Sequence, residues 1–215
     1  MSARPPSLRA VLFDWDGTLV NSAETSYRAY QGLFKALGIP FDREVYARTY
    51  SPNWHRTYEA LALPREQWDD ADALWLRFYA EERNELLPGV SEALHRLQGA
   101  GHAQGIVSSG ERERVTQEMR ELEVARYFTE VVCGGDTAQR KPHPEPLLVA
   151  LERMGLRPEE AAYVGDSPED MEMARGAEVF AIGIPGAFPN REALVASRPD
   201  FLAESLERAV ALLLD

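Results

Sequence analysis

A chain of 215 residues with 35 acidic against 23 basic side chains carries a formal charge of −12, which argues against nucleic acid or an anionic membrane as a partner, since both attract a basic face. The length suits one large domain or one domain with an insertion, and no apolar run approaches membrane-spanning length. The opening MSARPPSLR lacks the apolar centre of a signal peptide and the single cysteine, Cys133, excludes an internal disulfide, so a soluble cytoplasmic protein is expected.

The first element lies in residues 8–20, LRAVLFDWDGTLV. Leu8, Ala10, Val11, Leu12 and Phe13 make a nearly continuous apolar run, which predicts a parallel strand buried on both faces and broken by Asp14, Trp15, Asp16 and Gly17. At the carboxyl end of such a strand the chain meets the crevice where ligands bind in open α/β sheets. Asp14 and Asp16, two residues apart on an extended chain, project toward the same side. Carboxylates that close repel, and a divalent cation is the usual partner that keeps both ionised. The plainer alternative is a strand followed by an acidic turn.

Residues 19–86 have a different texture. Asn21 is positioned to cap a helix with Glu24 three residues on, and Tyr30, Leu33, Phe34 and Leu37 follow at helical spacing until Gly38 and Pro40. Asp42 opens a second short helix through Val45, Tyr46 and Thr49, stopped by Ser51-Pro52-Asn53. A third carries Trp54, Tyr58 and Leu61, and a fourth Trp68, Ala71, Trp75 and Phe78. The aromatic stripes read as the core of a small helical bundle rather than a cofactor box.

Beyond Leu87-Pro88-Gly89 helices and strands alternate. Leu94 and Leu97 lie on a helix closed by Gly99 and Gly101, followed by the strand AQGIVSS. Val115, Met119 and Leu122 mark a helix before a strand around Glu130 to Cys133. Leu147, Leu148, Leu151 and Met154 mark another before AAYVGD, a further strand follows at VFAIGI, and a last helix runs from Leu206 to Leu214. Alternation of this kind predicts a parallel sheet. The opening strand belongs to that sheet, so the expected organisation is a doubly wound, Rossmann-like α/β core of residues 1–18 and 87–215 with an all-helical cap, residues 19–86, inserted after the first strand. A lid placed directly after a reactive turn is positioned to close over it.

The later strand ends carry further reactive groups. Gly105-Ile106-Val107 runs into Ser108, Ser109 and Gly110, whose hydroxyls and amides can hold a phosphoryl oxygen. Lys141 stands in RKPHPEP and is one of only two lysines, with Lys35, in a chain that otherwise uses arginine. A compact ammonium fits where a guanidinium fork does not. AAYVGD ends in Asp166, with Asp170 four residues on, near a helix start. Taken singly each has an ordinary surface explanation, but together they supply a nucleophile, an acid/base, phosphate clamps and metal ligands at successive strand ends.

DWDGT, GIVSS with Ser108, Lys141 in RKPHPEP, and GDSPED resemble, in order and spacing, the four signature segments of the haloacid dehalogenase-like hydrolase superfamily, and the nearest branch resembles phosphoglycolate phosphatase and beta-phosphoglucomutase. The resemblance covers the whole chain. It implies a phosphatase in which Asp14 is the nucleophile that forms an aspartyl-phosphate, and Asp16 is the acid toward the leaving alcohol, then the base toward water. It also implies that Ser108, with Ser109 beside it, and Lys141 bind the phosphoryl group. Mg²⁺ would be held by the Asp14 carboxylate, the Asp16 main-chain carbonyl and Asp166, with Asp170 ordering the cluster. The substrate class would be a small phosphorylated metabolite. Asp16 argues against the dehalogenase branch, because a halide needs no proton and an alkoxide does.

Two other readings stay open. The mutase branch has a glycine-containing cap loop with an arginine that reads a second phosphate; the segment here is YSPNWHR, without glycine, and Arg28, Arg43, Arg48 and Arg56 lie among carboxylates. Water is therefore expected as the acceptor, phosphoglycolate is the first ester to test, and no interconversion of glucose 1-phosphate and glucose 6-phosphate is expected. The non-enzyme alternative is a phosphoacceptor signalling domain of the receiver kind. His55, His95, His102 and His143 are not grouped for a metal, and His143 reads as shaping its loop.

Overall fold

The computed structural model describes residue 5 and residues 7–214; most of the segment read above for a leader lies outside that range. Strands β1 (Ala10–Phe13), β2 (Ala103–Glu111), β3 (Glu130–Gly134), β4 (Ala161–Gly165), β5 (Phe180–Gly183) and β6 (Phe201–Leu202) form one parallel sheet in the order β3-β2-β1-β4-β5-β6. β1 is central and its four residues are fully buried. Side chains alternate across a strand, and here Val11 and Phe13 join one apolar cluster while Ala10 and Leu12 join the other. The first cluster packs α5 (Val90–Gly99), α6 (Arg112–Glu121) and α10 (Leu206–Leu214) on one face of the sheet. The second packs α7 (Glu145–Met154), α8 (Pro168–Gly176) and α9 (Arg191–Ala196) on the other. The expected doubly wound α/β class is what the chain adopts.

Register sets the position of the site. Phe13 pairs with Ile106 on β2 and with Val164 on β4, so Asp14, Ser108 and Asp166 all emerge at the same carboxyl edge. From β1 the chain builds outward through β2 and β3, then crosses back to place β4 on the other side of β1. That reversal is the topological switch point at which doubly wound sheets leave a crevice.

Between β1 and α5 lie α1 (Ala23–Ala36), α2 (Arg43–Thr49), α3 (Trp54–Ala60) and α4 (Trp68–Tyr79). They share an apolar cluster of their own, built on Tyr27, Tyr30, Leu33, Phe34, Tyr46, Tyr58 and Ala71. Its rings stack and tilt on one another, as in Tyr30 against Phe34 at 5.9 Å and 7° and Phe34 against Phe41 at 4.7 Å. Such pairs add to what burial of the rings already contributes. The outgoing and returning segments run side by side: the Leu87 amide donates to the Leu19 carbonyl and the Asn21 amide to the Glu85 carbonyl, both at 2.9 Å.

Several boundaries differ from expectation. β1 starts at Ala10 rather than Leu8, and α1 is preceded by Ser22, without a side-chain cap, rather than by Asn21. β2 continues to Glu111, two residues beyond the expected AQGIVSS, with a shift of register between Val107 and Glu111. β6 and α9 were not foreseen. A two-residue strand is too short to show a period of two, and Arg191–Ala196 is under two turns of helix.

Candidate active site

Asp14 is the first residue beyond β1, and its amide still belongs to the sheet, donating to the Val164 carbonyl at 2.9 Å. Gly17 then turns the chain, with φ of +80° and its amide on the Val20 carbonyl at 2.9 Å. A Cβ at this position would sit 2.3 Å from Asp166 Oδ2, so the glycine lets the turn lie against the acid cluster. Trp15 points the other way, fully buried, with its indole N–H on Glu118 Oε2 at 2.8 Å.

Lys141 arrives from the loop after β3, preceding a cis Pro142. Its buried ammonium donates to Asp14 Oδ1 at 2.6 Å, to Tyr163 Oη at 2.7 Å and to Asp170 Oδ1 at 2.7 Å. Three protons meet three acceptors, which is the compact geometry an ammonium offers and a planar guanidinium does not. Burial alone would lower the lysine's pKa, but Asp14 and Asp170 overcome it and hold the group charged. Asp170 is spent on this frame. Its Oδ1 also lies 3.1 Å from Tyr163 Oη, and its Oδ2 accepts the Ser167 amide at 3.1 Å and hydroxyl at 2.7 Å, closing a capping box at the start of α8.

Asp14, Asp166 and Asp170 offer carboxylate oxygens that all lie within 4.8 Å of one another. Burial pushes Asp14 up to about 7, with Lys141 offsetting part of the effect. Burial, reinforced by Asp14 and Asp170, raises Asp166 well above the usual carboxylate range. Asp166 Oδ2 is buried without a hydrogen-bond partner, and Cβ atoms at Gly17 or Gly186 would come within 3.0 Å of it. An orphaned buried carboxylate oxygen beside a second acid fits a hard cation. Asp166 offers an unpartnered oxygen to such an ion and Asp14 a carboxylate with one oxygen on Lys141, whereas both oxygens of Asp170 already accept hydrogen bonds.

Asp16 has a different environment from Asp14. Arg114, from α6, grips both of its oxygens, Nη1 to Oδ1 at 3.2 Å and Nη2 to Oδ2 at 2.5 Å. Arg114 Nη1 also donates to Glu118 Oε2 at 2.9 Å and to Tyr79 Oη at 3.1 Å, and Tyr79 lies 3.4 Å from Asp16 Oδ1. Burial works to raise the Asp16 pKa, but the guanidinium outweighs it and holds the group below its ordinary value. Its carboxylate is thus taken up by Arg114, and its main-chain carbonyl is the group for which the resemblance implies a metal role.

Ser108 and Ser109 line the same cavity, of about 260 Å³, as Asp14, Asp16, Lys141 and Asp166. Ser108 Oγ accepts the Gly110 amide at 3.0 Å, leaving its own proton for a ligand. Helices α1, α3 and α4 contribute Tyr30, Trp54, Trp75 and Tyr79 to the lining. His143 Nδ1 accepts the Glu145 amide at 3.2 Å, within its own loop. The sequence reading missed Arg114, Tyr79 and Tyr163. A tyrosine inside an otherwise apolar buried strand, whose hydroxyl must find a partner, is a usable signal for Tyr163; nothing in the run ERERV marks Arg114 apart from an ordinary helical arginine.

A parallel sheet with a lysine-braced acid cluster at its switch point, overlain by an inserted set of helices, defines a doubly wound α/β enzyme with one reactive edge. The chain belongs to the haloacid dehalogenase-like hydrolases, whose family model matches residues 11–184, and the receiver-type signalling alternative falls with that assignment. It is 33% identical to the phosphoglycolate phosphatase of Shigella boydii serotype 4 over 226 aligned residues, covering 93% of this chain and 90% of that one. A haloacid dehalogenase-like family hydrolase from Streptococcus pneumoniae superposes with a TM-score of 0.83 at 25% identity, covering 95% of this chain and 98% of that one. CbbY from Rhodobacter sphaeroides, in complex with phosphate, gives a TM-score of 0.80 at 26% identity, covering 93% and 95% of the two chains. Among the described residues no helix is long and apolar enough to cross a membrane.

Proposed function

We propose that this enzyme is a Mg²⁺-dependent phosphatase that hydrolyses a small phosphate monoester, with phosphoglycolate the first candidate, through an aspartyl-phosphate on Asp14. The observation that carries the reading is the pairing of Asp14 with the buried Lys141 ammonium at 2.6 Å, beside the orphaned Asp166 oxygen. One carboxylate is thereby held at the cavity with positive charge next to it. Family membership and the phosphoglycolate phosphatase relatives support the same chemistry.

In this mechanism an Asp14 oxygen attacks phosphorus as the ester oxygen departs in line, while Lys141 and the Ser108 hydroxyl hold equatorial phosphoryl oxygens. Asp16 protonates the departing alkoxide, and in the second half-reaction takes a proton from the water that attacks the aspartyl-phosphate. Asp14, Asp166 and the Asp16 carbonyl would hold Mg²⁺, which supplies neutralisation of phosphoryl charge when bound. Residues 19–86 act as the cap over this edge, hinged where the segments near Leu19 and Leu87 pair.

Water is the acceptor rather than a second sugar phosphate. Each of the four arginines considered for a second phosphate is engaged elsewhere: Arg28 with Glu24 and Glu82, Arg43 with Glu24, Arg48 with Glu44, and Arg56 with Glu169 at 3.9 Å. None of these four lines the cavity, where the arginines are Arg114, gripping Asp16, and Arg140 beside Lys141. The test is phosphate release from a panel of monoesters with Mg²⁺, with Ca²⁺ and in chelator, for the wild type and for Asp14→Asn. Release is expected with Mg²⁺, weakly with the larger Ca²⁺, and not from the variant, whose circular dichroism should match the wild type. Full release in chelator, or by Asp14→Asn, would overturn the mechanism.

A further inference from the structure

The cavity holds donors that phosphoryl transfer does not use. Arg140, the residue before Lys141, stacks its guanidinium on the Trp54 ring of α3, 4.5 Å from the centroid. Its Nη1 is buried and has no acceptor among the described residues. Trp75, from α4, lines the same cavity, and its indole N–H is likewise buried without an acceptor. A buried donor left unpaired is destabilising by itself, and this one cavity gathers several, the Trp54 indole N–H and Arg114 Nε among them, which marks a place built for a ligand's oxygens. Asp72, from α4, lines the same cavity, and its carboxylate already accepts the Tyr58 hydroxyl at 2.9 Å and stands 4.0 Å from His55 Nε2.

We infer that Arg140 and Trp75 form a distal subsite that binds a carboxylate on the alcohol portion of the substrate, making Arg140 the residue that selects small phosphorylated acids over neutral alkyl phosphates. The inference rests on the phosphatase reading for what occupies the other end of the cavity. Three features favour a carboxylate. The Arg140 and Trp75 groups are both donors, which the two oxygens of a carboxylate satisfy together and a lone hydroxyl satisfies only in part. A guanidinium presents parallel N–H groups that match the two oxygens of a carboxylate. A cavity of about 260 Å³, part of which the phosphoryl group would fill, leaves room for a short acid. The Trp54 face orients the guanidinium while adding nothing that competes for an anion.

The test measures binding separately from turnover. Calorimetry with Mg²⁺ present compares 3-phosphonopropionate, which carries a carboxylate and has no ester bond to break, with propylphosphonate, its neutral-tailed counterpart. The wild type should bind the first more tightly by about ten- to hundredfold, the range for hydrogen bonds to a charged group. Arg140→Gln should erase that preference while leaving propylphosphonate affinity within about twofold. Trp75→Phe, which keeps the ring and deletes only the N–H, should reduce the preference in the same direction by a smaller factor. Equal wild-type affinities, or equal loss of both ligands in Arg140→Gln, would overturn the subsite, the second outcome marking Arg140 as a purely structural clasp on Trp54. A wild type that binds with the expected preference yet releases phosphate from no ester would instead refute the phosphatase reading and leave the subsite standing.

Discussion

Asp14 and Asp16 are separated by one residue and carry opposite electrostatic burdens. Burial dominates at Asp14 and pushes it up to about 7, whereas the bidentate grip of Arg114 holds Asp16 down. In the proposed reaction the carboxylate held by Arg114 must give a proton to an alkoxide, so its release from that grip belongs to the catalytic cycle. Asp16→Asn should lower phosphate release by about two to four decades, the usual weight of general acid–base help. The loss should shrink for aryl esters, whose leaving groups need no proton. Equal losses across leaving groups would remove Asp16 from its role. The residues legible in the sequence were those where chemistry interrupts an apolar strand: Asp14, Ser108 and Asp166 each follow a run that should have stayed buried and dry. Arg114 was illegible because its significance lies in a contact 98 residues away, and nothing in ERERV distinguishes a guanidinium facing solvent from one facing Asp16.

At the scale of elements, the turn after β1 is the part with least tolerance. Gly17 combines a positive φ with a Cβ position 2.3 Å from Asp166 Oδ2 and 2.6 Å from the Phe188 ring. Gly17→Ala forces a left-handed backbone on an L-residue, at a cost of about 1–2 kcal/mol, and drives a methyl group into the acid cluster. Melting temperature should fall by several degrees, since about 1 kcal/mol corresponds to roughly 2–4 °C at this chain length. The Mg²⁺ concentration for half-maximal activity should rise by about tenfold or more. An unchanged metal requirement would show that the turn can move without disturbing Asp166. Element prediction succeeded where both periodicity and end signals were present, as in α2, where Asp42 Oδ1 accepts the Val45 amide at 2.8 Å. It failed at β6, whose pairing with β5 at Phe201 and Leu202 is imposed by the sheet edge and not by any pattern in the two residues.

Taken as a whole, the molecule encloses carboxylates that oppose its own stability. Asp166 has a raised pKa in the folded state, so the metal-free protein loses stability as pH rises from the ordinary carboxylate value of 3.8 toward the raised one. Replacing Asp166 by the neutral, nearly isosteric asparagine should therefore raise the melting temperature in chelator by a few degrees. Wild-type protein should recover that stability another way. A cation that binds only the folded chain contributes about 2.7 kcal/mol at one hundred times its dissociation constant, a shift of about 5–10 °C for a chain of this length. Asp166→Asn should lose nearly all of this Mg²⁺-dependent shift, so the order of stability reverses between the two conditions: the variant melts above the wild type in chelator and below it in saturating Mg²⁺. Thermal unfolding of both proteins in both buffers reads all four values. A variant that is less stable in chelator, or that keeps the wild-type Mg²⁺ shift, would mean that the Asp166 carboxylate is neither the strained group nor a metal ligand in this fold.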